Sequence, residues 1–169
     1  LEIFNNTIAY NMWDPTSERN WAFVAGYPEE MESPPVNLTL VNNVFAFNAD
    51  PLEGGSTGIY LGPGVTLVRE EHNLYYSRAD GEITAEFAGE RDADFTRAEI
   101  ADGTWAAYTG QGQGDLTSDP LFVSGWPEVD VRLQAGSPAE NAGSVEGVPA
   151  EDVEGRLRDA APDLGACER

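Results

Sequence analysis

The residues best suited to acid–base chemistry lie together in the segment VREEHNLYYS, at positions 68–77. His72 is the only histidine of the 169-residue chain, and Arg69 and Tyr76 lie close to it in sequence. A histidine or a tyrosine can take a proton as a general base, and an arginine can neutralise a carboxylate next to the reacting carbon. His72, Arg69 and Tyr76 are therefore the candidate catalytic residues.

A structural interpretation of His72 competes with the catalytic one. When the chain is aligned with itself, His72 falls on the same position as Asn5 and Asn42. Those asparagines lie between two short apolar runs, where a sharp corner needs a polar residue that tolerates left-handed backbone angles. His72 could therefore be a corner residue without any chemical role.

A second candidate site is a cluster of aromatic residues, Trp13, Trp21 and Tyr27, within the segment 12–35. Aromatic rings on a loop can stack on the apolar face of a sugar ring. They can equally anchor a loop on the surface beneath it. The cluster thus predicts either a carbohydrate-binding loop or a packed one.

Two turn-rich segments carry oxygen ligands that could hold Ca²⁺. They supply Asp50 and Glu53 in DPLEGGSTG and Asp80 in SRADGE. Ca²⁺ is the one cofactor for which the sequence offers candidate ligands. Neither segment has the spacing of an EF-hand loop, so the pattern does not by itself predict that Ca²⁺ binds.

The elements that position these residues come from an internal repeat. LEIFNNTIAYN at 1–11 and LTLVNNVFAFN at 38–48 are two copies of one sequence repeat, here called a line, and 65–77 is a degenerate third copy. In each line apolar residues alternate, an asparagine follows, and a second short apolar run comes after it. Alternation indicates a strand with one buried face, and repetition indicates units that stack to bury their apolar faces together.

The sequence predicts one domain that consists of three consecutive parts. Residues 1–77 form the stacked units, with the loop 12–35 projecting from them. Residues 78–103 form an insertion in which DADFTRAEIADG predicts one short helix. Residues 104–169 form a strap, a last strand and a C-terminal cap.

The repeated lines and the C-terminal third resemble the right-handed parallel β-helix proteins of the pectin-lyase-like family. The C-terminal match consists of DPLF at 119–122, GSPAENAG at 136–143 and DLGACE at 163–168. The resemblance implies an all-β fold, a right-handed parallel β-helix (a single-stranded solenoid) with one short helix and an irregular C-terminal cap. It also implies that Leu121 and Phe122 dock on the last coil.

Charge excludes some partners. The chain has 30 acidic residues, nine arginines and no lysine, for a net charge of −21. Such a field repels phosphate, so nucleic acid and anionic membranes are not expected as partners. No run of residues is long and apolar enough to insert in a membrane.

Two functional interpretations remain open. The first is a non-catalytic or carbohydrate-binding module of a secreted or cell-surface bacterial protein, with a polysaccharide as a possible ligand. The alternative is the C-terminal part of a polysaccharide lyase or glycoside hydrolase that acts on an acidic glycan, as the resemblance allows. In both cases a monomer is expected, packed against N-terminal β-helix coils of the same parent chain.

Overall fold

A computed structural model describes residues 1–11, 22–26, 35–48, 58–77, 83–87 and 93–169. Twelve short strands and two short helices make up the regular structure of these residues. The strands are β1 (Glu2–Phe4), β2 (Thr7–Ala9), β3 (Phe23–Ala25), β4 (Val36–Val41), β5 (Val44–Ala46), β6 (Ile59–Leu61), β7 (Val65–Glu71), β8 (Leu74–Tyr76), β9 (Ile83–Phe87), β10 (Ala93–Thr96), β11 (Phe122–Ser124) and β12 (Asp130–Leu133). The helices are α1 (Arg97–Ala101) and α2 (Thr104–Thr109).

The first nine strands belong to three successive passes of the chain. The first pass contains β1, β2 and β3, the second β4, β5 and β6, and the third β7, β8 and β9. Each pass gives one strand to each of three sheets, with orders β1-β4-β7, β2-β5-β8 and β10-β9-β6-β3. All pairings between passes are parallel. Two further strands, β11 and β12, form an antiparallel pair.

The prediction of an all-β, right-handed parallel β-helix with one short helix and an irregular C-terminal cap is wrong. The described residues form small separate sheets of two to four strands, and β9–β10 and β11–β12 pair antiparallel. They also form two helices where one was predicted. The reason lies at Gly103, whose left-handed φ of 88° turns the chain between α1 and α2. A glycine adopts this angle without steric cost, so a pattern that predicts a helix end here also allows a second helix to start.

The corner between the first two sheets has the same backbone conformation in every pass. Asn5, Asn42 and His72 have φ values of 52°, 59° and 52°. The N–H of each donates to a carbonyl of the next segment along the stack, at Val41, Glu71 and Gln113. Asparagine tolerates this left-handed region, which is why it recurs where the chain turns most sharply.

The main apolar core lies between the three sheets. Phe45 and Tyr75 stack in it with their ring centroids 5.4 Å apart and an interplanar angle of 5°. Both are fully buried, as are Leu40 and Leu61 from the other two sheets of the second pass. Because each strand contributes only a few inward side chains, the core forms only when successive passes stack.

The C-terminal residues pack on the outside of this stack. Phe122 of β11 is buried with Leu133 of β12 in a second apolar cluster, against the outer faces of β5 and β8. Leu121, which was expected to dock beside Phe122, is instead 39% exposed. Residues 139–168, here called the corner segment, then run along the corner where Asn5 and Asn42 lie.

Among the described residues, neither helix has the length and apolar character that crossing a membrane requires.

Candidate functional site

Arg69, the first candidate catalytic residue, lies in β7 and its guanidinium is taken up by contacts within the protein. Its Nε donates to Glu71 Oε1 at 3.0 Å, and one terminal nitrogen donates to Ser144 Oγ at 3.1 Å. The other terminal nitrogen donates to the carbonyl of Glu146 at 3.2 Å. Arg69 therefore ties the corner segment to the third pass.

His72 lies at the corner between β7 and β8, half-buried. Its Nδ1 is 2.8 Å from the carbonyl oxygen of Ala142 in the corner segment. Its ring covers Gly114 so closely that a Cβ at position 114 would lie 2.8 Å from ring atoms. These contacts fix the imidazole between two segments of backbone, which is the surrounding expected of a corner residue.

Tyr76 lies in β8 on the outer side of the stack. Its ring meets the edge of Phe47 with centroids 5.1 Å apart, and the Arg97 guanidinium lies 5.2 Å from its centroid. The three candidate catalytic side chains are thus held by three different sets of neighbours. Their roles in catalysis stay predictions.

The other predicted site residues lie outside the described residues. They are the aromatic cluster Trp13, Trp21 and Tyr27 and the Ca²⁺ candidates Asp50, Glu53 and Asp80. Within the described residues, no group of three or more His, Cys, Asp and Glu side chains is placed so that it could hold a metal ion.

The chemically most unusual site of the described residues is a pair of carboxyl groups, the buried Glu70 and the half-buried Asp115. Glu70, at the end of β7, is 1% exposed and accepts three hydrogen bonds. Asn73 Nδ2 and Tyr75 OH each donate to its Oε1 at 2.8 Å, and Trp105 Nε1 donates to its Oε2 at 3.0 Å. Three donors, from the corner before β8, from β8 and from α2, therefore converge on one buried side chain.

Asp115 lies beside Glu70 at the end of the stack. Its Oδ1 accepts from the backbone N–H of Asn73 at 2.8 Å, whereas its Oδ2 is buried without a donor. Burial, followed by the charge of Glu70 and a hydrogen bond with it, raises the pKa of Asp115 well above its ordinary value. The ionised form of Asp115 is therefore disfavoured, because burial and the neighbouring Glu70 carboxyl group both oppose a negative charge there. A proton on Asp115 Oδ2 can be donated to Glu70, which satisfies the buried oxygen.

The surroundings of the carboxyl pair hold it away from water. The Trp105 ring is 1% exposed and packs edge-on against Phe95, with centroids 5.1 Å apart. Burial, then the charges of Glu70 and Asp115 and the hydrogen bond to Glu70, raises the pKa of Tyr75 well above 10. An enclosed carboxyl pair of this kind can hold a proton. The Trp105 ring and the backbone of Gly112 separate the pair from solvent on the side of α2.

A break in the strand alternation explains why the sequence did not reveal Glu70. In β7, inward positions run from Val65 to Leu67, and strict alternation would next place Arg69 inside. The register between β4 and β7 shifts after Leu67, and Val68 is 57% exposed. One extra residue reverses the side to which every later residue points, so Glu70 lies inside while Arg69 and Glu71 point outward. A strand that ends in two acids next to an inward-facing asparagine is the only signal, and it is a weak one.

A second buried polar group holds the end of the corner segment. Arg158 and Glu168 form an ion pair of 2.9 Å, with side chains 3% and 8% exposed. Arg158 also donates to the carbonyl of Gly165 at 2.9 Å. Both terminal nitrogens of Arg158 bond within the segment, whereas its Nε is buried without a partner, and the ion pair indicates a structural role.

Comparison of the chain with models of protein families, with curated proteins and with solved structures found no match. The contacts described above are therefore the basis on which a function can be assigned.

Proposed function

We propose that this chain is a non-catalytic module of a larger secreted or cell-surface protein, with a carbohydrate as its ligand. One observation carries the non-catalytic part. Arg69 donates to Glu71, to Ser144 Oγ and to the carbonyl of Glu146, and His72 Nδ1 lies 2.8 Å from the carbonyl oxygen of Ala142. A base and an arginine that hold two pieces of backbone together support a structural role rather than a catalytic one.

The carbohydrate part is supported by the tryptophans. Trp105 is buried and bonded to Glu70, whereas Trp126, in the turn between β11 and β12, is 50% exposed. An exposed indole ring offers a flat apolar face on which a sugar ring can stack, and tryptophan is favoured where one side meets a ligand. Trp13 and Trp21 remain predicted contributors. The net charge of −21 favours a neutral glycan over a polyanionic one.

Retention in polysaccharide-containing native gels tests the binding. We expect neutral polysaccharides to slow the chain, and we expect Trp126→Ala, combined with Trp13→Ala and Trp21→Ala, to abolish that retardation. The matched control is Leu157→Ala, which removes an apolar side chain that is 74% exposed elsewhere on the surface. Equal retention of the triple variant and the control variant would show that the rings do not bind sugar.

An ultraviolet assay separates this proposal from the alternative of a lyase. Lyases leave an unsaturated uronate that absorbs in the ultraviolet, so we expect no rise in absorbance with alginate, pectate or heparin-like glycans, with or without Ca²⁺. A rise that Arg69→Ala or His72→Ala removes would overturn the non-catalytic assignment.

A further inference from the structure

The asparagine side chains at the corners form a hydrogen-bonded ladder that continues to Asp115. The backbone N–H of Asn6 donates to Asn43 Oδ1 at 2.9 Å, and that of Asn43 donates to Asn73 Oδ1 at 3.0 Å. The N–H of Asn73 donates in turn to Asp115 Oδ1 at 2.8 Å. Asp115 is thus the fourth member of the ladder, an acid that follows three amides.

The amide nitrogens supply the second bond of each step of the ladder. Asn43 Nδ2 donates to the carbonyl of Ile3 at 2.9 Å, and Asn73 Nδ2 donates to the carbonyl of Leu40 at 3.0 Å. Because Asp115 Oδ1 makes the bond of the amide oxygens, its Oδ2 takes the place of this nitrogen, where it is buried without a hydrogen-bond partner. A carboxylate oxygen cannot donate, whereas a protonated carboxyl group carries an O–H that can. The ladder is therefore complete at position 115 only when Asp115 is protonated.

Residues 111–116, here called the closing segment, carry this acid across the end of the third pass. The N–H of His72 donates to the carbonyl of Gln113 at 2.9 Å, and the N–H of Tyr75 donates to that of Leu116 at 2.8 Å. Gln113 is exposed and Leu116 is only half-buried, so the segment adds little apolar surface to the core. A segment held mainly by polar bonds opens at a lower free energy than the core beneath it.

Glycines make the attachment of the closing segment costly in conformational entropy. Gly112 and Gly114 both have left-handed backbone angles, with φ values of 83° and 77°. Glycine loses more backbone freedom on ordering than any other residue. The loss of one polar bond therefore shifts the segment towards a detached state.

We propose that Asp115 is a pH-sensitive latch for the closing segment. With a proton on Oδ2, Asp115 donates to Glu70, completes the ladder and holds the segment on the third pass. Without the proton, a buried oxygen that carries negative charge lies beside the Glu70 carboxyl group, and the segment detaches so that water can solvate Asp115.

The surroundings of the latch decide which other groups could give the same pH dependence. Among the described residues, the titratable groups next to Asp115 are Glu70 of β7, Tyr75 of β8 and His72, whose ring lies against the closing segment at position 114. The side of α2 contributes the uncharged Trp105. Tyr75 keeps its proton at neutral pH, because its pKa is raised well above 10. The titration of His72 is therefore the one that the test must separate from that of Asp115.

Amide hydrogen exchange of the intact 169-residue chain at pH 5 to 9, corrected for the intrinsic exchange rate, tests the latch. The attached segment holds a proton that the detached segment releases near pH 4, so opening should become up to about tenfold more favourable per pH unit until the raised pKa of Asp115 is reached. The protection of the Tyr75 N–H, which bonds to the closing segment, should fall accordingly. The Leu74 N–H donates to Asn43 on the other side of β8, and it should stay protected after the Tyr75 N–H has lost its protection.

Two variants assign the effect to one side chain. Asp115→Asn puts a permanent amide at the fourth step of the ladder, so the protection of the Tyr75 N–H should stay high and no longer depend on pH. His72→Asn is the matched control, because asparagine is the corner residue of the first two passes and tolerates the φ of 52°. It should keep the pH dependence, and circular dichroism of both variants checks that they fold.

Three outcomes overturn the proposal. The first is protection of the Tyr75 N–H that stays constant from pH 5 to 9. The second is equal protection of the Tyr75 and Leu74 N–H groups at every pH, which would mean that the molecule opens only as a whole. The third is a pH dependence that persists in Asp115→Asn or disappears in His72→Asn, which would assign it to another group.

Discussion

At the scale of single residues, the carboxyl group of Asp115 is unusual because part of it is buried without a hydrogen-bond donor. Its Oδ2 is buried without a donor, and Glu70 opposite it already accepts three hydrogen bonds. The raised pKa of Asp115 means that the folded protein binds a proton that the unfolded chain releases near pH 4. Folding is therefore linked to proton uptake at this site.

The linkage predicts that stability falls as pH rises. Between about pH 4 and the raised pKa of Asp115, the native state holds one more proton than the unfolded state, so this site lowers the free energy of unfolding by up to about 1.4 kcal/mol per pH unit. Asp115→Asn replaces the O–H by a permanent N–H donor and should remove this slope. Urea unfolding of both proteins at pH 5 to 9 measures the difference.

Asp94→Asn is the control for that experiment, because Asp94 is an exposed aspartate of β10. It removes one negative charge without touching the pair. Should Asp115→Asn lose stability at every pH, or track the control, Asp115 does not carry the proton.

How far the sequence predicts these residues depends on the alternation of the strands. The positions of the corners can be predicted from the repeat, because Asn5, Asn42 and His72 occupy equivalent positions in the repeated segments. Glu70 does not follow, because the extra residue at Val68 reverses the alternation, and the two acids that end the strand are only a weak sign of it. The partner Asp115 lies far along the chain, and only the stacking brings the two together.

At the scale of elements, the corner segment is held by a close backbone approach at Gly165. Its N–H donates to the carbonyl of Asn42 at 2.7 Å, and the N–H of Ala166 donates to Thr7 Oγ1 at 3.0 Å. Gly165 has a φ of 86°, and a Cβ there would lie 2.5 Å from Thr7 Oγ1. A larger residue must push the segment off the corner.

Two glycines allow this effect to be separated from backbone strain. Gly165→Ala should cost about 2–4 kcal/mol, from about 1–2 for the left-handed conformation and the rest for overlap with Thr7 and Val44. Gly155→Ala carries the strain alone, because Gly155 has a φ of 80° and nothing lies within 4 Å of its Cβ position. Thermal or urea unfolding compares the two, and equal losses would mean that the corner segment is not tightly seated.

The elements were predictable only where a local signal marks them. Thr96 and Glu99 form a capping box, with Glu99 N–H donating to Thr96 Oγ1 and Thr96 N–H to Glu99 Oε2, and this starts α1 within the segment predicted to be helical. Phe95, which was counted as a helical residue, lies in β10 instead. Pairing with β9, a long-range contact, decides its conformation, and no local pattern contains that information.

At the scale of the whole molecule, the net charge of −21 works against the compact state. Salt reduces this repulsion, since the screening length falls from about 30 Å at 0.01 M to about 10 Å at 0.1 M. The urea midpoint should therefore rise with NaCl, most steeply below about 0.1 M. A rise that starts only at molar salt would indicate a general effect on apolar burial, and a fall would mean that exposed ion pairs outweigh the repulsion.

The contact between the corner segment and the first pass also determines when the corner can be covered during synthesis of the chain. Asn5 meets the carbonyl of Asp163, and Thr7 meets Ala166, across 158 and 159 residues of sequence. A ribosome adding 5 to 20 residues per second reaches the second partner about 8 to 30 seconds after the first. Throughout that interval residues 163–166 do not yet cover the corner, so Asn5 and Thr7 of the nascent chain lack the partners that they have in the folded protein.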